Sequence, residues 1–154
     1  MKLTSPKKAA LFVCVLVLFP LLLETSAVPA SPPPLPVPVA VFMGPEFFEA
    51  NGKQWTRYRY DVVNRTDFPN TLFAPAPKLP PCGLNRNASR TWVDIFDLSG
   101  KRLNGFCALG SQDDLSKLWF ALERDVIPPS WIRIVITDRE TGEKTQSALV
   151  DTVE

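Results

Sequence analysis

The chain of 154 residues contains no histidine, three cysteines and only seven glycines. Without histidine there is no Ser-His-Asp or Cys-His catalytic set, and the commonest catalytic zinc ligand sets are excluded too. The few glycines form no phosphate-cradling loop, and neither a G-x-S-x-G elbow nor a zinc spacing occurs. Charge of one sign is also lacking: 17 Lys+Arg stand against 16 Asp+Glu, a formal net charge of +1. That balance leaves no electrostatic footprint for nucleic acid. No calcium-ligand spacing like that of an EF-hand is present. The sequence therefore implies no catalytic residue, no cofactor and no metal site. Its length suits one ordinary domain plus short extras.

The first segment reads as an export signal. Lys2, Lys7 and Lys8 precede an apolar run from Ala9 to Leu23, and small residues follow around Ala27 and Ala30. A basic start, an apolar stretch and small residues are the parts of a secretory signal peptide, here residues 1–30. The run falls short of the roughly 20 residues that span a bilayer, and Pro20 weakens it further. The mature form is thus expected to be secreted or periplasmic, without a membrane span. Cys14 would leave with the signal. Cys82 and Cys107 remain, and a pair of cysteines in an exported protein favours a disulfide over a metal or redox site. Closing a loop of that length contributes about 3.5 kcal/mol by chain entropy.

Sixteen prolines are the counterpart of the scarce glycine. Residues 31–38 include the run Ser31-Pro32-Pro33-Pro34-Leu35-Pro36-Val37-Pro38, which resists helix and central strand and favours extended polyproline II. This segment is expected to be a spacer before a domain over 39–154.

From Val37 onward the apolar pattern has a period of two. Val37 to Phe42 suits a first edge strand ended by Gly44-Pro45. Asn51-Gly52 is a tight-turn signal. Tyr58, Tyr60 and Val62 then alternate with Arg57, Arg59 and Asp61, as in a half-buried strand. Further strands are expected over Thr91–Asp97, Arg102–Ala108, Leu118–Leu122, Trp131–Asp138 and Glu143–Val150, with a capped helical turn opening at Ser111. About seven antiparallel strands bury one face each most simply as two packed sheets. The strand pattern, notably in Thr56–Asn64, Trp131–Asp138 and Gln146–Val150, resembles fibronectin type III or immunoglobulin-like domains. Another Greek-key sandwich such as a jelly roll is the alternative.

Residues 65–90 depart from that pattern. Connections this long are uncommon in compact domains. The stretch carries Phe68, Leu72, Phe73, Leu79 and Leu84, so an ordered, extended cover over an edge or a sheet face is expected. A second reading makes Leu79, Pro80, Pro81 and Gly83 a rigid, disulfide-tethered loop of the kind a secreted inhibitor presents.

The candidate binding residues are Trp92, Asp94 and Phe96, with Trp119 as a fourth member of one patch. An aromatic–carboxylate stripe can stack on sugar rings while the carboxylate accepts hydroxyl hydrogen bonds. Burial of both faces of Thr91–Asp97 beneath the long stretch explains the same residues without a ligand. A carboxylate pair drawn from Asp94, Asp97, Asp113 and Asp114 could in principle run glycoside hydrolysis. But Asp97 borders a turn, and Asp113 and Asp114 sit where a helix start favours acids. Asn64-Arg65-Thr66 and Asn87-Ala88-Ser89 match the glycosylation acceptor pattern.

The run from Leu79 to Ser111, with Leu118–Leu122 and Trp131–Arg139, resembles small exported bacterial proteins of uncharacterised function. That resemblance implies export and a disulfide between the two cysteines. The functional expectation is a non-catalytic, monomeric module that binds an envelope or extracellular protein or glycan.

Overall fold

The structure, a computed structural model, describes residues 33–81 and 89–152. The expected signal segment lies outside these residues, as do Cys82, Gly83, Leu84 and Asn87. Eight strands form among the described residues: β1 (Ala40–Ala50), β2 (Lys53–Val62), β3 (Thr91–Asp97), β4 (Arg102–Phe106), β5 (Leu118–Glu123), β6 (Trp131–Asp138), β7 (Lys144–Gln146) and β8 (Val150–Asp151). They build an antiparallel β-sandwich. One sheet has the order β1-β2-β5; the other has β4-β3-β6-β7, with β8 also on β6.

The alternation of the sequence becomes the two faces of each sheet. Tyr58, Tyr60 and Val62 of β2 and Leu118 and Phe120 of β5 point inward. The facing sheet supplies Val93 and Ile95 of β3 and Ile132, Ile134 and Ile136 of β6. Register aligns these stripes: Val93 lies opposite Ile136 and Ile95 opposite Ile134. Tyr58 stacks on Phe120 across β2 and β5, with ring centroids 4.9 Å apart. Burying each such side chain stabilises by roughly 1.5–3 kcal/mol.

Three strand expectations change. β1 does not end at Gly44-Pro45 but runs through it to Ala50, with a register shift between Phe42 and Pro45. Gly44 adopts φ +94°, which a glycine reaches freely, and so absorbs the bulge. Pro45 is tolerated because β1 is an edge strand, where a missing N–H costs no ladder bond. The return expected over Glu143–Val150 is split into β7 and β8. Ser147 causes the break: its Oγ accepts from Ile134 N at 3.0 Å while its own N–H donates to Ile134 O at 2.9 Å. β4 closes at Phe106, two residues earlier than expected.

The long stretch is not an extended cover in its first half. It folds into two 3-10 turns, Arg65–Asp67 and Asn70–Phe73, that drive Phe68, Leu72 and Phe73 into the core. Phe68 is fully buried. Thr91 Oγ donates to Leu72 O at 2.5 Å, and the Gln112 amide donates to Phe68 O. Gln112 opens a third 3-10 turn, Gln112–Ser116, whose capping box joins Ser111 and Asp114 as the sequence pattern implied.

Residues 33–39 lie on the domain. Leu35 packs against the core and Pro38 is buried. Leu35 N donates to Glu143 Oε at 2.8 Å. Asn64 holds the next residues, accepting from Val39 N at 2.8 Å and donating to Val37 O at 3.0 Å.

Candidate functional site

Strand alternation sends Trp92, Asp94 and Phe96 to the outer face of the five-stranded sheet, opposite the buried Val93 and Ile95. All three are half-buried. Their partners on β6 are Thr137, Val135 and Arg133. Among its described residues the long stretch does not bury this face as a second core, because Phe68, Leu72 and Phe73 turn into the core instead.

The chemistry of the face differs from a bare sugar-stacking stripe. Trp92 lies between two guanidinium groups, Arg102 at 5.3 Å and Arg139 at 5.4 Å from its ring centroid. Asp94 Oδ1 accepts from Trp92 Nε1 at 3.1 Å and meets Arg102 Nε at 2.5 Å. Arg102 reaches them by lying across Gly105. A Cβ at that glycine would stand 1.7 Å from Arg102 Nη2 and 2.7 Å from Asp94 Oδ1. Gly105 is therefore the space into which the cation folds, a role the sequence did not disclose.

Arg139 has a second task. Its Nη1 donates to Ser89 O at 3.1 Å and its Nη2 to Pro80 O at 2.5 Å, so it holds the long stretch at two points. Beside it, Arg90 pairs with Asp138 and, at 2.9 Å, with Glu140. The Arg90 guanidinium, with the Thr141 hydroxyl and the Glu140 N–H, lowers the Asp138 pKa to about 2, against the opposing effect of burial. This is the main electrostatic anchor of the stretch to the β6–β7 hairpin.

Trp119 does not join this face. It lies on the three-stranded sheet, opposite Arg59, with its ring edge-on to Phe106 at 6.2 Å. Of the other aspartates named from the sequence, Asp113 is exposed and pairs with Arg65 at 3.6 Å, while Asp97 and Asp114 each serve a turn. Asp97 Oδ1 accepts from Ser99 N, Ser99 Oγ and Lys101 N; those bonds, the Ser99 hydroxyl foremost, lower its pKa. Asp114 caps the third 3-10 turn and pairs with Lys117, which lowers its pKa as well.

Of the candidate loop, Leu79 is half-buried, and Pro80 and Pro81 are exposed. Cys82 and Gly83 lie outside the described residues. Cys107 follows β4, and its carbonyl accepts from Ser89 N at 2.9 Å. Among the described residues no group of three or more acidic, cysteine or histidine side chains is placed to hold a metal ion. No helix among them is long and apolar enough to cross a membrane.

Compared with family models, with curated proteins and with solved structures, the chain matches none.

Proposed function

We propose that the protein is an exported, non-catalytic binding module that engages an extracytoplasmic protein or glycan through the outer face of its five-stranded sheet. The observation that carries this reading is the half-exposed row Trp92, Asp94 and Phe96, in register with Thr137, Val135 and Arg133 of β6. Flat sheet faces bearing aromatic and arginine side chains have the composition of interface cores. Trp92 and Asp94 are held rigid by Arg102 and Arg139, so contact there costs little ordering entropy.

The basic, apolar and small-residue pattern of residues 1–30 supports export, and the proposed Cys82–Cys107 disulfide fits that compartment. The Ser89–Cys107 hydrogen bond brings the returning chain to the second cysteine. The order β1-β2-β5 facing β4-β3-β6-β7 supports a fibronectin type III type of sandwich. The inhibitor reading is weaker, since Arg139 straps Pro80 to the body.

The test compares capture by the wild type and by a Phe96→Ser, Val135→Ser double variant, using envelope and medium fractions of the source cells. These positions are half-exposed and outside the Trp92–Arg network. A partner retained by the wild type and lost by a folded variant supports the reading; equal capture by both removes this face from it.

A further inference from the structure

The opposite face of the sandwich carries a second, separate feature. Beside the bulge in β1 lies a cleft of about 340 Å³ lined by Met43, Glu46, Arg57, Arg59, Lys117 and Trp119. Three cations thus face one carboxylate in a concavity with two apolar walls.

The cations are unequally satisfied. Arg57 is clamped between two rings, its guanidinium carbon 4.9 Å from the Phe48 centroid and 4.8 Å from that of Trp119. The clamp fixes the fork in space, yet Arg57 Nε is buried with no hydrogen-bond partner. Glu46 reaches Arg57 Nη1 only at 3.5 Å and Arg59 Nε only at 3.9 Å. Those separations lie at or beyond the outer limit of a hydrogen bond, and well beyond the 2.7–2.9 Å of a tight charge-assisted one. Glu46 shows that the two guanidiniums accept a carboxylate and that this internal one does not saturate them. Lys117 adds positive charge to the lining and pairs with Asp114, which does not line the cleft, at 2.9 Å.

We propose that this cleft binds a small organic carboxylate, its carboxylate on Arg57 and Arg59 and its apolar body against Trp119 and Met43. The guanidinium forks suit a planar carboxylate better than a point charge would. The indole and thioether walls favour an anion with an apolar face over an inorganic one. A sugar acid and an aromatic acid share that chemistry. The site is independent of the five-stranded face and stands or falls without it.

The experiment titrates the purified protein with glucuronate, phenylacetate, glucose and inorganic phosphate. It follows the indole N–H of Trp119 and the Nε–H signals of Arg57 and Arg59 by NMR. One of the two acids saturates these signals, glucose leaves them unmoved, and phosphate binds at least about tenfold more weakly. Which acid binds tighter names the source. Arg59→Gln, at a half-exposed side chain that leaves the fold intact, weakens binding about tenfold; Glu46→Gln tightens it by removing the competing carboxylate. Phe96→Ser with Val135→Ser changes nothing here. No saturable shift with either acid, phosphate binding as tightly as the acids, or an Arg59→Gln variant of unchanged affinity would each overturn the proposal.

Discussion

Arg90 and Asp138 form a two-pronged pair, Nε to Oδ1 at 2.7 Å and Nη2 to Oδ2 at 2.5 Å. One residue ends the long stretch after β2 and the other ends β6, so the pair joins segments 48 residues apart. Asp138 is almost wholly buried. A buried carboxylate is stable as an anion only where donors surround it, and here Arg90, Glu140 N and Thr141 Oγ do so.

This arrangement makes stability acid-sensitive. The folded-state pKa of Asp138, about 2, lies below its ordinary 3.8. The stabilisation is therefore fully present above about pH 4 and is lost as pH falls towards 2. Its size is about 2 kcal/mol by linkage. Urea unfolding at pH 6 and near pH 2.5 should show that loss in the wild type. Asp138→Asn should be destabilised at pH 6 and should lose less on acidification; an unchanged pH slope contradicts the assignment.

Phe68 fills the core from a segment outside every strand. Phe68→Ala removes a fully buried ring and should cost about 3–5 kcal/mol. A cost below about 1 kcal/mol, measured by denaturant midpoint at constant m, would mean that the long stretch is not part of the cooperative unit.

Asn64 belongs to an acceptor triplet, but its side chain is spent on structure. The amide donates to Val37 O and to Asp67 Oδ2 and accepts from Val39 N. Asn64→Ala should cost about 1–2 kcal/mol and speed exchange of the Val39 amide. Unchanged protection at Val39 contradicts this reading. A glycan on folded Asn64 would take one of the two Nδ2 hydrogens and so would cost one of the two donor bonds, to Val37 O or to Asp67 Oδ2.

Gly105→Ala puts a methyl group where Arg102 lies. The cation should swing away from Trp92 and Asp94, with a shift of the Trp92 indole N–H and a stability loss of about 1 kcal/mol. An unmoved indole signal would show that Arg102 does not depend on the glycine.

The inward stripes of β2, β3 and β6 were readable because side chains alternate across a strand, and Tyr58-Tyr60-Val62 and Ile132-Ile134-Ile136 follow that period without interruption. β6 begins at Trp131 and ends at Asp138 as its pattern implied. The passage through Gly44-Pro45 was not readable, since a local breaker signal is overridden when the strand lies at an edge and a bulge absorbs the glycine. The two 3-10 turns of residues 65–73 have no period long enough to announce themselves. At the candidate site, alternation placed Trp92, Asp94 and Phe96 on one outer face. It did not reveal the guanidiniums on Trp92, because Arg102 and Arg139 come from another strand and from a turn. Nor did it separate Trp119, since strand phase alone does not say to which sheet a strand belongs.

The most direct measurement of the binding account places a photo-crosslinking residue at Phe96, at Val135 and, as a control, at the exposed Val63. Each protein is irradiated in envelope or medium fractions from the source cells. A binding face at this sheet gives one adduct of defined mass from Phe96 and Val135 and none from Val63. Adducts from all three positions alike, or from none, would contradict it.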